Sequence, residues 1–152
     1  MLAQAALLLH AAIETPAAVT FLFFPEKQLS TAAAAGRAVP LETALVLQNL
    51  GGLLAASVAL SLVLAVWGTP PHLSHSLRGA LCLCLAIYHL FPARRAYLRR
   101  RHAIGTKGAV GNTLGGPAVH LAVHAACLVL LTSAGIRENP FQIFRIKIAD
   151  LE

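Results

Sequence analysis

The chain has 152 residues, of which 57% are apolar and only 12% charged, with a net charge of +6. A typical soluble domain carries about 25% charged residues, and a chain this apolar falls outside the disordered class. Four helices of bilayer length need about 80 apolar residues, and this composition supplies them. Nucleic acid is not an expected partner: six of the twelve basic residues, Arg94, Arg95, Arg99, Arg100, Arg101 and Lys107, form one stretch after an apolar run. Basic residues there set membrane topology and meet anionic lipid head groups, and no aromatic-rich basic surface for stacking bases accompanies them.

The first apolar segment, Leu2 to Phe24, reads as a transmembrane helix rather than a cleavable signal, because no Lys or Arg precedes it and Glu14 and Pro16 interrupt it. Pro16 predicts a kink. A loop from Pro25 to Pro40 follows. The second segment, Leu41 to Trp67, has Glu42 at its start, which suits a helix N-terminus. Its small residues Gly51, Gly52, Ala55, Ala56 and Ala59 allow close approach of neighbours. Gly68, Pro70 and Pro71 end it, and the HxxH of His72 and His75 reads as a solvated turn. The third segment, Leu77 to about Ala93, is short, with Arg78 and the Arg94–Arg95 pair expected to snorkel at its ends.

A basic and then glycine-rich loop leads to the fourth segment, Pro117 to Ile136, with Pro117 in the first turn. The Gly111 and Gly115 pair lies at the edge of that span. Arg137 to Glu152 is an amphipathic tail, suited either to the membrane surface or to pairing as a strand. Cys82, Cys84 and Cys127 fall inside apolar runs without a CxxC and read as small packing residues. The expected fold class is therefore all-α: a bundle of four transmembrane helices over residues 1–136 and a tail over 137–152. The first and third loops carry eight Lys and Arg against four on the other side, which places those loops in the cytosol.

Ionisable residues inside spans usually mark sites. His10 and Glu14 share one face of the first segment, Gln48 and Asn49 lie in the second, Tyr88 and His89 in the third, and His120 and His124 share a face of the fourth. Counted from the ends beside the first and third loops, they fall at depths of about 5 to 21 Å, in the same half of the bundle. Three readings stay open. The groups are hydrogen-bonding glue between helices, in a non-enzymatic partner or scaffold of a biosynthetic enzyme. Or they perform acid–base chemistry on a lipophilic molecule without a cofactor. Burial disfavours a charged carboxylate and histidine titrates near neutrality, so Glu14 is the catalytic acid–base residue with His10, His120 and His124 as partners. Gln48, Asn49, Tyr88 and His89 orient the substrate, and Arg94 and Arg95 grip an acidic group at the mouth. Or the chain is a redox protein in which His120 and His124, with His89, hold a metal or haem.

The stretches LLHAAIETPAAVTFLFFP, LCLAIYHLFPARRAYLRR and GGPAVHLAVHAACLVLL resemble small four-pass membrane proteins of filamentous fungi, some of them encoded in secondary-metabolite gene clusters. The likeness covers about two thirds of the chain. It implies a setting: isomerisation, cyclisation or other tailoring of a lipophilic polyketide or terpenoid at an internal membrane such as the endoplasmic reticulum, beside other enzymes of the pathway. It implies no catalytic residues.

Overall fold

A computed structural model describes residues 1–29, 39–102 and 116–138. Among them, four long helices carry the fold: α1 Leu2–Phe23, α2 Leu41–Trp67, α3 His75–Arg101 and α4 Gly116–Glu138. A single 3-10 turn, Pro25–Gln28, follows α1. All four are long and apolar enough to cross a bilayer, and the chain is a multi-pass membrane protein with an all-α four-helix bundle. The glycine pair at Gly111 and Gly115 and the tail from residue 139 onward lie outside the described residues.

Each helix follows from local chemistry. Apolar runs longer than 20 residues leave no backbone group that hydrocarbon can satisfy, so the chain closes its hydrogen bonds internally as helix. The Ser74 hydroxyl accepts from Leu77 N–H at 3.2 Å and caps the start of α3. Gly116 has φ 78°, a left-handed turn that glycine enters without steric cost, and it delivers Pro117 into the first turn of α4.

The third helix corrects the sequence reading. It does not end near Ala93 but continues through Pro92 to Arg101. Loss of hydrophobicity marks the edge of a span, whereas Ala, Leu and Arg sustain helix beyond it. Pro16 likewise sits inside a continuous α1. Each proline lacks the N–H that the carbonyl four residues earlier would receive, and both prolines border the cavity described below.

α1 packs along α2, α3 packs along α4, and α1 joins the two pairs, chiefly through α4. The apolar core lies at the end that holds the chain's N-terminus. There Ala3, Ala6 and Leu7 of α1 meet Leu64 and Ala65 of α2, Cys82, Leu85 and Ala86 of α3, and Leu131 and Ala134 of α4. The opposite end, beside the first and third loops, has only a small buried cluster of Ala18, Phe21 and Leu54 among the described residues. Close approach depends on particular glycines. A Cβ on Gly51 would stand 2.8 Å from the Leu22 backbone nitrogen, and one on Gly135 would stand 2.5 Å from Leu83 Cγ. Gly52, Ala56 and Ala59, expected to serve the same purpose, face outward.

Arg78 corrects a second expectation. It does not snorkel to the head groups but turns inward, where its guanidinium makes a two-pronged ion pair with Glu138. The sequence reading placed Glu138 in the tail, whereas it is the last residue of α4. A planar guanidinium matches a carboxylate in this way, and the pair ties the start of α3 to the end of α4.

Gly51→Ala should lower the midpoint of unfolding in mixed micelles, at a cost of about 1–3 kcal/mol for forcing α1 and α2 apart. Gly52→Ala, one residue along and facing open space, should leave it unchanged or raise it. Equal behaviour of the two variants would contradict the packing described.

Candidate functional site

Above the apolar core, the bundle interior becomes polar. Glu14 is one turn beyond His10 on α1, and both are buried, at 1% and 0% exposure. Helical spacing puts them on one face, and packing of α1 between α2 and the α3–α4 pair turns that face toward α3 and α4. Tyr88 and His89 of α3 and His124 of α4 complete the cluster.

Its hydrogen bonds form two short systems. The Tyr88 hydroxyl donates to Glu14 Oε2 at 3.0 Å. His10 Nδ1 lies 2.8 Å from His89 Nε2, and His89 Nδ1 lies 3.0 Å from His124 Nδ1. Three imidazoles from three helices therefore form a chain with His89, 0% exposed, at its centre. One consistent assignment has His10 Nδ1–H donating to His89 Nε2 and His89 Nδ1–H donating to His124 Nδ1. The remaining N–H of His124 then sits at Nε2. Glu14 Oε1 lies 3.5 Å from His124 Nδ1 and 3.8 Å from His89 Nδ1, too far for a hydrogen bond. Glu14 Oε1 and His10 Nε2 are buried without a hydrogen-bond partner among the described residues.

A cavity of about 460 Å³ reaches from this cluster toward the first and third loops. Glu14, Tyr88 and His124 form its inner end, Phe21, Leu50, Leu54 and Phe91 contribute apolar wall, and Gln28, Arg95, Arg99, Pro117 and His120 stand nearer the loops. The size is within the range of small-molecule sites, about 300–1,000 Å³.

The residues singled out from sequence separate into three groups. Glu14, His124, His120, Tyr88 and Arg95 border the cavity. His10 and His89 lie behind it, holding the imidazole chain rather than meeting a ligand. Gln48, Asn49 and Arg94 are not brought to the site. Gln48 donates to the Leu22 carbonyl at 3.2 Å and serves the α1–α2 contact, while Asn49 and Arg94 face outward. The polar layer thus joins three helices and not four, because α2 packs chiefly on α1 and sends Leu50 and Leu54, not Gln48 and Asn49, to the cavity.

Of the His120, His124 and His89 set considered for metal, His120 stands apart, its ring centroid 6.3 Å from that of His124. Glu14 takes its place beside the other two, and His10, Glu14 and His89 also offer ligand atoms within 4.8 Å of one another. Sequence reasoning missed Arg99 and Gln28. Arg99 is four residues after Arg95, so helical spacing would have found it once α3 was extended past Ala93; Gln28 has no such signal. No family model, curated protein or solved structure matches the chain.

Tyr88→Phe should destabilise the bundle by about 1–2 kcal/mol, since it strips Glu14 of the hydrogen bond to Oε2. Adding Glu14→Leu should recover most of that loss, and a double-mutant cycle measures the coupling. Zero coupling would mean that the Tyr88–Glu14 contact contributes nothing.

Proposed function

We propose that the chain is a membrane-embedded enzyme that moves a proton within a lipophilic substrate, an isomerisation or a proton-initiated cyclisation. One observation carries the reading: Glu14 Oε1 is a buried carboxylate oxygen with no hydrogen-bond partner among the described residues, on a residue that borders a cavity of ligand size. A polar atom stranded in hydrocarbon costs several kcal/mol, and a substrate C–H or O–H in the cavity would meet that need.

The residues divide the work. Tyr88 holds Oε2 and leaves Oε1 free to take a proton from substrate carbon. His124, fixed through His89 and His10, offers its Nε2–H to a substrate oxygen on which negative charge develops. The proton on Glu14 returns at a second carbon, so substrate and product have the same elemental composition and no oxidant or reductant is consumed. The apolar wall excludes water from the carbanion-like state. The resemblance to fungal four-pass proteins adds a setting, tailoring of a secondary metabolite at an internal membrane.

A second reading rests on a different measurement. Glu14 Oε1, His89 Nδ1 and His124 Nδ1 form a triangle with edges of 3.0, 3.5 and 3.8 Å. Donor atoms around a tetrahedral divalent metal are spaced about 3.3 Å apart, given bonds of about 2.0–2.1 Å. The outer partners that metal ligands use are also present: Tyr88 on the carboxylate, and His10 on the far nitrogen of His89.

The test of the first reading compares metabolites of cells carrying the wild-type or the Glu14→Gln allele. The variant should accumulate in membranes at normal level, lose one lipophilic product and build up a compound of identical mass. An unchanged profile at equal protein level would overturn the reading. For the second, elemental analysis of protein purified in mild detergent should find about one transition-metal ion per chain, lost on His89→Ala or His124→Ala; fully active protein without metal would remove it.

A further inference from the structure

The loop end of the cavity carries charge that the proton-transfer step does not use. Five arginines follow Pro92 on α3, but only Arg95 and Arg99 border the cavity. Four residues apart, they share a helix face. Neither has an ion-pair partner among the described residues. Glu14 is the one carboxyl among the described residues of the cavity wall, and it lies at the opposite end.

Two guanidiniums on one face repel each other, and in a site walled by apolar side chains that repulsion is less screened than in water. An anion between them relieves it and accepts from both planar forks. The geometry also sets a length. Tyr88, which marks the level of Glu14, precedes Arg95 by seven residues, or about 10 Å of helix rise. The wall between is Phe91, Pro92 and, from the other pair, Leu50 and Leu54. A small hydrophilic anion would fill only the mouth and leave that wall uncovered.

We propose that Arg95 and Arg99 anchor the anionic head, a carboxylate or a phosphate, of an amphiphilic substrate whose apolar body lies along the cavity. This inference rests on the proton-transfer reading in one respect: it places the reacting carbon about 10 Å from the acidic group, beside Glu14. A bilayer offers the same anionic chemistry in its phospholipid head groups, so the test separates the two sources.

The experiment measures binding of a fluorescent polyene fatty acid and of its methyl ester to the full chain in phosphatidylcholine nanodiscs, with empty nanodiscs subtracted. Wild-type protein should bind the acid at least roughly tenfold more tightly than the ester, the discrimination expected of charge-assisted hydrogen bonds. The ratio should fall to about one in Arg95→Gln/Arg99→Gln. It should persist in Arg94→Ala, whose side chain does not line the cavity, and largely persist in Arg95→Lys/Arg99→Lys, which also guards against misfolding of the glutamine variant. Adding phosphatidylglycerol to the nanodiscs should leave the ratio intact.

Equal binding of acid and ester overturns the proposal. So does a ratio that survives Arg95→Gln/Arg99→Gln. Loss of the ratio when phosphatidylglycerol is present also overturns it, and assigns the two arginines to lipid head groups. Binding is read here without turnover. A failed anchor therefore leaves the Glu14 reading to the metabolite comparison, and a failed Glu14 reading does not alter the acid-to-ester ratio.

Discussion

A carboxyl group buried midway along a bilayer helix has no water to turn to, and its surroundings must be built around it. Glu14 is that group here. It lies about 14 Å from the loop end of α1, by nine residues of helix rise. Its partners come from α3 and α4, because the residues of α1 that share its face are His10 and apolar side chains. Tyr88 satisfies one oxygen. His89 and His124 approach the other without bonding to it. The need to gather these groups fixes how α1 is rotated between α2 and the α3–α4 pair, and that rotation decides which residues can reach the cavity.

The bundle divides along its length for a related reason. Toward the N-terminus of α1, alanine, leucine and cysteine side chains from all four helices interlock, and the Arg78–Glu138 pair clamps α3 to α4 at the same end. Toward the first and third loops the helices part around the cavity, and Gly51 keeps α1 and α2 in contact beside it. A tightly packed end supports an open one, so cluster geometry is held by the packed half while the other half stays free to take a ligand. Pro16 and Pro92 lie on the open side, each relieving one carbonyl of its helical donor next to the cavity.

The imidazole chain links these two halves chemically. His89 touches His10 on one side and His124 on the other, so the tautomer of one ring sets the others. Donation from His10 through His89 leaves the His124 N–H at Nε2, the arrangement that proton transfer uses. If His89 instead carries its N–H at Nε2 and donates to His10 Nδ1, while His124 keeps its N–H at Nε2, both Nδ1 lone pairs stand beside Glu14 Oε1, the arrangement that a cation uses. The same five side chains therefore support two chemistries, separated by one shared change of proton position.

Composition alone determined the class of fold: too few charges for a soluble surface and enough apolar residues for four spans. The i, i+4 spacing of His10 with Glu14 and of His120 with His124 also placed those pairs on common faces, since helix geometry is local. The depth count put the polar groups of α1, α3 and α4 in one half of the bundle. What the sequence did not contain is rotation and neighbourhood. Gln48 and Asn49 sit at a suitable depth, yet Gln48 bonds to the Leu22 carbonyl and Asn49 is exposed, so neither reaches the cluster. Arg78 and Glu138 are 60 residues apart, and only packing of α3 along α4 turns the arginine inward. His89 became the centre of the chain for the same reason, whereas Arg99 joins the mouth by helical spacing from Arg95 because α3 continues past Ala93. Apolar side chains pack on helix surfaces without directional bonds, so many rotations satisfy one hydropathy pattern, and only contacts between the helices select among them.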